Sequence, residues 1–88
     1  MRLRVRYAGR VQGVGFRATA RSVMSRFPLT GWVRNDPDET VLLEVQGEGE
    51  TVRAALNDLR AAMGRNILSE DTAPIDDLPG ERRFEITH

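Results

Sequence analysis

The residues best suited to bind an anion lie near the start of the chain, in the stretch Gly9-Arg10-Val11-Gln12-Gly13-Val14-Gly15-Phe16-Arg17. Its three glycines let backbone N–H groups approach an anion without side chains in the way. A strand pattern precedes the stretch and a helical pattern follows it, so the free N–H groups of the first helical turn point to the same place. Arg17 would add a planar, permanently charged guanidinium. The stretch is therefore predicted to be an oxyanion cradle, with phosphate as the best-fitting ligand.

The same glycines also imitate a dinucleotide-binding fingerprint. Gly13, Gly15 and Ala18 follow its spacing, and Asp36 lies about twenty residues further on, where a ribose ligand is expected. However, the next strand leads into a tight hairpin rather than a crossover helix, and the chain is too short for a doubly wound sheet. The lysine of a P-loop is also missing. Nucleotide binding is therefore not expected.

The residue types missing from the loop restrict its chemistry. It has no Cys, His, Lys, Asp or Glu, so covalent and general-acid routes have no obvious agent. The whole chain has no cysteine and one histidine, His88, so no metal site is expected. No cofactor is expected either. Such a site suits a substrate whose leaving group departs without a proton. A mixed carboxylic–phosphoric anhydride fits, because its carboxylate leaves with a pKa of about 4–5, whereas a phosphate monoester of an alcohol does not.

The charge of the chain is balanced overall but unevenly distributed. The formal net charge is zero, yet the eight arginines from Met1 to Arg34 are accompanied by no acid, and all thirteen acids follow with five arginines. Two interpretations are open, and both can hold at once. Strands from the two halves can interleave and pair their charges, and a positive field can surround the glycine loop. No apolar run approaches the length of a membrane span.

Hydrophobic periodicity predicts four or five strands and two helices in one small domain, residues 1–88. In order these are a strand at 2–8, a helix at 16–27 ended by Pro28, a strand at 29–35, a turn at 36–39, a strand at 40–46, a helix at 50–63, an edge strand at 67–73 ended by Pro74, a loop at 76–80 and a last strand at 82–87. Candidate core residues on the helices are Phe16, Val23, Phe27, Leu56 and Leu59. The order β-α-β-β-α-β is the split β-α-β pattern. It predicts a ferredoxin-like α+β sandwich, with an antiparallel sheet and two helices on one face.

Two separate motifs resemble those of one family. The stretch from Gly9 to Arg17 resembles the first signature of the acylphosphatase family, and Gly31-Trp32-Val33-Arg34-Asn35, with Val41 and Gly47, resembles its second. The element order also matches the family across essentially the whole chain. Neither signature alone would be specific, but two signatures at the right spacing are.

The resemblance implies a role for each matching residue. Arg17 matches an arginine that binds phosphate and stabilises charge on the transferring group, and Asn35 matches an asparagine whose side-chain amide orients the attacking water. The backbone N–H groups of the loop would hold the phosphoryl oxygens, and these belong to Gln12, Gly13, Val14, Gly15 and Phe16. The resemblance implies no metal and no phosphoenzyme. The expected function is acylphosphatase activity, the hydrolysis of acyl phosphates to a carboxylate and inorganic phosphate.

Other functions and one departure from the family pattern need to be considered. A non-catalytic module that binds phosphate or acyl phosphate is the alternative, since the cradle alone does not ensure hydrolysis. The second signature normally has glycine where this chain has Glu39, which predicts a positive φ there at a cost of about 1 kcal/mol. RNA binding is not expected, because the third strand offers valine and leucine rather than aromatic side chains. A small-molecule substrate, a cytoplasmic location and a monomer without nucleic-acid or membrane partners are expected.

Overall fold

The computed structural model describes residues 1–88 and contains five strands and two α-helices. In chain order they are β1 (Arg2–Gly9), α1 (Phe16–Met24), β2 (Thr30–Asn35), β3 (Val41–Gln46), α2 (Gly49–Met63), β4 (Ile67–Ile75) and β5 (Phe84–Ile86), with a 3-10 turn at Gly64–Asn66 before β4. The strands form one sheet in the order β4-β1-β3-β2-β5. The predicted α+β sandwich is confirmed. The sheet is mixed rather than wholly antiparallel, because β5 runs parallel to β2.

One face of the sheet packs against the two helices. The side chains of Val5 and Tyr7 in β1 alternate inward with Val41, Leu43 and Val45 in β3. The helices contribute nine buried residues to the same cluster: Phe16, Ala20, Val23, Met24, Val52, Ala55, Leu56, Leu59 and Met63. All the candidate core residues on the helices are in contact with this cluster, although Phe27 is only partly buried at its edge. Neither helix is long and apolar enough to cross a membrane.

The opposite face of the sheet is covered by ion pairs instead of helices. The side chain of Arg2 is almost fully buried, and its Nη1 lies 2.6 Å from Oε1 of Glu81. Its Nε donates to Oε1 of Glu44, whose other oxygen lies 2.6 Å from Nη2 of Arg4. The basic first strand is thus neutralised by acids from the second half of the chain. This confirms the charge-pairing interpretation.

Helix α1 is shorter than its hydrophobic pattern predicts. It ends at Met24 rather than Phe27. Beyond it the N–H groups of Arg26 and Phe27 donate to the carbonyls three residues earlier, so the chain continues as tight turns. Pro28 fits this early end, because it has no N–H to donate to the carbonyl of Met24 and its ring disfavours the helical conformation at Phe27.

The two last strands also differ from the prediction. Strand β4 continues through Pro74 to Ile75, so the predicted end at Pro74 is wrong. It lies at the edge of the sheet, where a residue without an N–H is tolerated. Strand β5 covers only Phe84–Ile86, although single hydrogen bonds from Gly31 to Arg83 and from Thr87 to Val33 extend its pairing with β2 at each end.

Candidate active site

The loop between β1 and α1 depends on two glycines in left-handed conformations. Gly13 has a φ of 77° and Gly15, which caps α1, has a φ of 80°. A Cβ added at either position would meet no atom within 4 Å. Backbone conformation rather than lack of space therefore requires glycine at these two positions.

The N–H groups of this loop are free to bind a ligand. The backbone nitrogens of the five predicted donors, Gln12, Gly13, Val14, Gly15 and Phe16, donate no hydrogen bond within the protein. The helical ladder begins only with Thr19, whose N–H lies 3.0 Å from the carbonyl oxygen of Gly15. Successive free N–H groups in left-handed turns form anion-binding nests, and the adjacent helix end adds a positive dipole. The predicted cradle therefore has the donors it needs.

A cleft of about 460 Å³ lies beside this loop and brings Arg17 and Asn35 together. It is lined by Val11, Gly13, Gly15, Phe16, Arg17, Ala18, Arg21, Asn35, Ile86 and His88. Two of the predicted site residues, Gln12 and Val14, do not line it. No aspartate or glutamate lines the cleft, so no carboxylate side chain there opposes an anion.

Arg17 carries an unopposed charge at the start of α1. None of the ion pairs in the protein includes it, in contrast to Arg2, Arg4 and Arg34, which are bound to carboxylates. Arg21 is also free of ion pairs and lines the same cleft. Sequence reasoning missed Arg21, although its spacing of one helical turn from Arg17 places both on one helix face.

Asn35 ends β2 and lies opposite Val41 of β3. Its Oδ1 is buried and has no hydrogen-bond partner. Buried amide oxygens are nearly always paired, so an orphan acceptor at the edge of a cleft marks a position where a ligand or water donates. No group of the protein supplies a donor to this oxygen, and Asn35 lines the cleft beside the glycine loop.

The turn after Asn35 has the strained residue that the sequence predicts. Glu39 has a φ of 71° and is the only residue besides glycines with a positive φ, which confirms the expected departure. The N–H of Asp36 lies 2.9 Å from the carbonyl oxygen of Thr40, and the N–H of Glu39 lies 3.1 Å from that of Asp36. This is a type I turn followed by a left-handed residue, a common three-residue hairpin in which glycine is favoured at the last position.

The side chain of Asp36 anchors this turn to the sheet. Its two carboxylate oxygens accept hydrogen bonds from Arg6 at 3.0 Å and from Arg34 at 2.8 Å. Burial alone would raise the pKa of Asp36, but the hydrogen bonds and charges of the two arginines outweigh it and hold the pKa below its usual range. Asp36 is therefore a structural anion, and its ion pairs fix the backbone directly after Asn35.

A second hollow, of about 510 Å³, lies elsewhere on the molecule, around Gly31, Trp32 and Gly80. Glu81 and Glu85 line it together with Arg82 and Arg83. Both carboxylates are engaged by arginines, and their charges oppose the binding of another anion. The cleft beside Arg17 is therefore the better candidate for anion chemistry.

Comparison with known proteins identifies the family. The family model for Acylphosphatase matches residues 3–86. The chain belongs to the acylphosphatase family. An acylphosphatase from Rhizobium etli is 39% identical over 97% of this chain and 92% of its own length, and one from Alcanivorax borkumensis is 42% identical over 91% of each. The crystal structure of the acylphosphatase from Bacillus subtilis superposes with a TM-score of 0.87 at 25% identity, covering 99% of this chain and 98% of that one.

Family membership confirms the resemblance seen in the two signatures, and the chain is a hydrolase of the acylphosphatase family. In this acylphosphatase fold, β5 contributes Ile86, and the end of the chain contributes His88, to the wall of the cleft. Sequence reasoning missed both residues. The alternation around Phe84 indicates that Ile86 points inward. This alternation does not indicate that β5 pairs with β2, which is what brings Ile86 to the cleft.

Proposed function

We propose that this protein hydrolyses acyl phosphates through the cleft between the glycine loop and the end of β2. The single observation that carries the proposal is the meeting of two unsatisfied groups in that cleft. Arg17 has no ion-pair partner, and Oδ1 of Asn35 is buried without a hydrogen bond. One group attracts an anion and the other accepts a hydrogen bond from a water molecule.

The phosphoryl group is bound first. Its oxygens accept hydrogen bonds from the free backbone N–H groups of residues 12–16, and the guanidinium of Arg17 neutralises their charge. Each hydrogen bond to a charged oxygen is stronger than one between neutral groups. Because the donors are already in place, little reorganisation is needed when charge spreads over these oxygens in the transition state.

The attacking group is a water molecule held by Asn35. The water donates a hydrogen bond to Oδ1, which aims its lone pair at phosphorus in line with the acyl oxygen. A bond forms between the water oxygen and phosphorus, and the bond from phosphorus to the acyl oxygen breaks with its electron pair. The products are a carboxylate and inorganic phosphate, and the proton of the water is released to phosphate or solvent. The carboxylate needs no proton, so no acid is required.

We also propose that residues 1–88 act as a single domain and a cytoplasmic monomer, with the acyl phosphate as the only partner. The arginines on the open face of the sheet support this, since Arg2, Arg4 and Arg6 are bound to acids and not free to contact nucleic-acid phosphates or lipid headgroups. Light scattering after size-exclusion chromatography measures the oligomeric state.

Turnover of acetyl phosphate, with a chelator present, tests the function. We expect release of acetate and phosphate at an unchanged rate when the chelator is added. If the protein binds phosphate but releases none from acetyl phosphate, it is a non-catalytic binding module instead. A rate that falls with the chelator and returns with added metal contradicts the proposed mechanism.

A further inference from the structure

The side chain of Gln12 extends from the glycine loop to the hairpin that follows Asn35. Its Nε2 lies 2.8 Å from the carbonyl oxygen of Asp36 and 2.9 Å from that of Thr40. A glutamine amide nitrogen has two N–H groups, and here each has its own acceptor. Gln12 therefore connects the two parts of the site with its full donor capacity.

The two carbonyls that Gln12 binds are the ends of one turn. The N–H of Asp36 donates to the same carbonyl oxygen of Thr40, at 2.9 Å, and closes the loop of three residues between them. Asp36 is joined by a peptide bond to Asn35. A clamp on the base of this turn therefore also fixes the end of β2, where Asn35 presents its amide.

We propose that Gln12 is a positioning residue, whose side-chain amide sets the place of Asn35 relative to the phosphoryl cradle. The inference rests on the proposed function. The backbone of Gln12 leads directly into Gly13, so one residue belongs to the cradle through its main chain and to the water-binding side through its side chain. In-line attack depends on the distance between these two sides, and an error of 1 Å can cost about 100-fold in rate.

The matched control is Gln46, at the other end of β3. Its side chain also binds backbone, since Nε2 donates to the carbonyl oxygen of Leu78 at 3.2 Å and Oε1 accepts from the N–H of Leu78 at 2.7 Å. The same Oε1 accepts a further hydrogen bond from Nη1 of Arg2 at 3.0 Å, so Gln46 makes at least as many contacts as Gln12. Gln46 does not line the cleft. It therefore reports what the loss of such contacts does to the fold alone.

The experiment compares Gln12→Ala and Gln46→Ala in turnover of acetyl phosphate and in competitive inhibition by inorganic phosphate. We expect Gln12→Ala to lower kcat at least about tenfold with little change in the phosphate inhibition constant, because the cradle and Arg17 remain. Gln46→Ala should keep the kcat of the unmodified protein. Gln12→Glu retains the size of the side chain but replaces a donor with an acceptor, so it should also lose kcat; recovery of activity in this variant would mean that packing alone matters.

A double-mutant cycle separates positioning from general stability. If Gln12 acts through Asn35, Gln12→Ala should lower kcat no further once Asn35→Ala is present. Equal fold-losses in both backgrounds overturn the inference, as does an unchanged kcat in Gln12→Ala. A lower Tm with unchanged kcat assigns Gln12 a structural role only.

The inference and the proposed function can fail separately. No turnover by the unmodified protein contradicts the function, whereas turnover that survives Gln12→Ala contradicts only the inference. If the unmodified protein lacks turnover, the NMR signal of the Asn35 side-chain amide still tests whether Gln12 sets the position of Asn35. That signal should shift in Gln12→Ala and not in Gln46→Ala, and an unshifted signal in Gln12→Ala excludes the link.

Discussion

The ring of Tyr7 in β1 packs against the ring of Phe16, the first residue of α1, with centroids 4.9 Å apart and planes inclined by 54°. Both side chains are fully buried. Tilted aromatic pairs of this kind add to the free energy gained from burial. The residue that ends the glycine loop is therefore held against the central part of the sheet, so the cradle has a rigid base although it is built from a loop.

The hydroxyl of Tyr7 makes no hydrogen bond that would stabilise this contact. Its oxygen is buried without a hydrogen-bond partner, and burial raises the pKa of the phenol far above its ordinary value. Tyr7→Phe should leave the free energy of unfolding unchanged or raise it by about 1 kcal/mol, because an unpaired polar group is removed from the core. Urea denaturation measures the change. A loss of more than about 1 kcal/mol would reveal a partner for the hydroxyl, and Phe16→Ala provides the contrast, with an expected loss of about 3–5 kcal/mol.

Arg17 is expected to be essential for binding and for turnover. Arg17→Ala should lower kcat/KM for acetyl phosphate by about 10³-fold or more and abolish inhibition by inorganic phosphate, since the arginine neutralises the transferring group. Arg26→Ala is the control, because Arg26 forms no ion pair and does not line the cleft. Activity retained in Arg17→Ala would exclude the proposed site.

Asn35 is expected to affect turnover without affecting phosphate binding. Asn35→Ala should lower kcat by about 10²-fold or more, because the water loses its orientation, while the inhibition constant for phosphate stays near its original value. Asn57→Ala is a suitable control, since Asn57 lies on α2 and its Oδ1 accepts a hydrogen bond from Arg60. Loss of phosphate inhibition together with kcat would contradict the water-positioning role.

The left-handed residue in the hairpin offers a stabilising substitution. Glu39→Gly should raise the free energy of unfolding by about 1 kcal/mol, because glycine adopts a positive φ without a clash. Glu39→Ala removes the carboxylate but keeps the Cβ, so it should give no comparable gain. Thermal denaturation of the two variants distinguishes backbone strain from charge, and equal stabilities would attribute the effect to the carboxylate.

The buried arginine on the open face makes stability depend on pH. The hydrogen bond from Arg2 lowers the pKa of Glu81 in the folded protein. A lowered pKa means that the stabilisation is complete above the unfolded value of about 4.3 and is lost as the pH falls through the folded value. Glu81→Gln should therefore have a lower free energy of unfolding than the unmodified protein at pH 7. The difference between the two free energies should shrink below about pH 4.3. Asp58→Asn, at a position without an ion pair, should show no such trend; a constant difference for Glu81→Gln would contradict the linkage.

The fold was predictable from the sequence, and the candidate site residues could be named from it, because both depend on local patterns. Alternation identifies β1, helical spacing identifies α1, and the paired signatures indicate Arg17 and Asn35. Features that depend on distant contacts were not predictable. Gln12 was expected to act through its backbone, and only the folded chain shows its side chain reaching the hairpin across 24 positions. The edge position of the strand at 67–73 is confirmed, but its predicted end at Pro74 is wrong, because pairing with β1 on one side continues through a residue that lacks an N–H.

The exposed edge strand β4 has a consequence for how copies of this protein meet. Asp71 is exposed on it without an ion pair, and Pro74 interrupts its row of N–H donors. A second copy adding its own β4 would have to accommodate this charge and would lose a ladder hydrogen bond at Pro74; an exposed charge and a proline are both devices that protect sheet edges from aggregation. Strand β4, predicted from the sequence as an edge strand, thus carries features that disfavour further growth of the sheet.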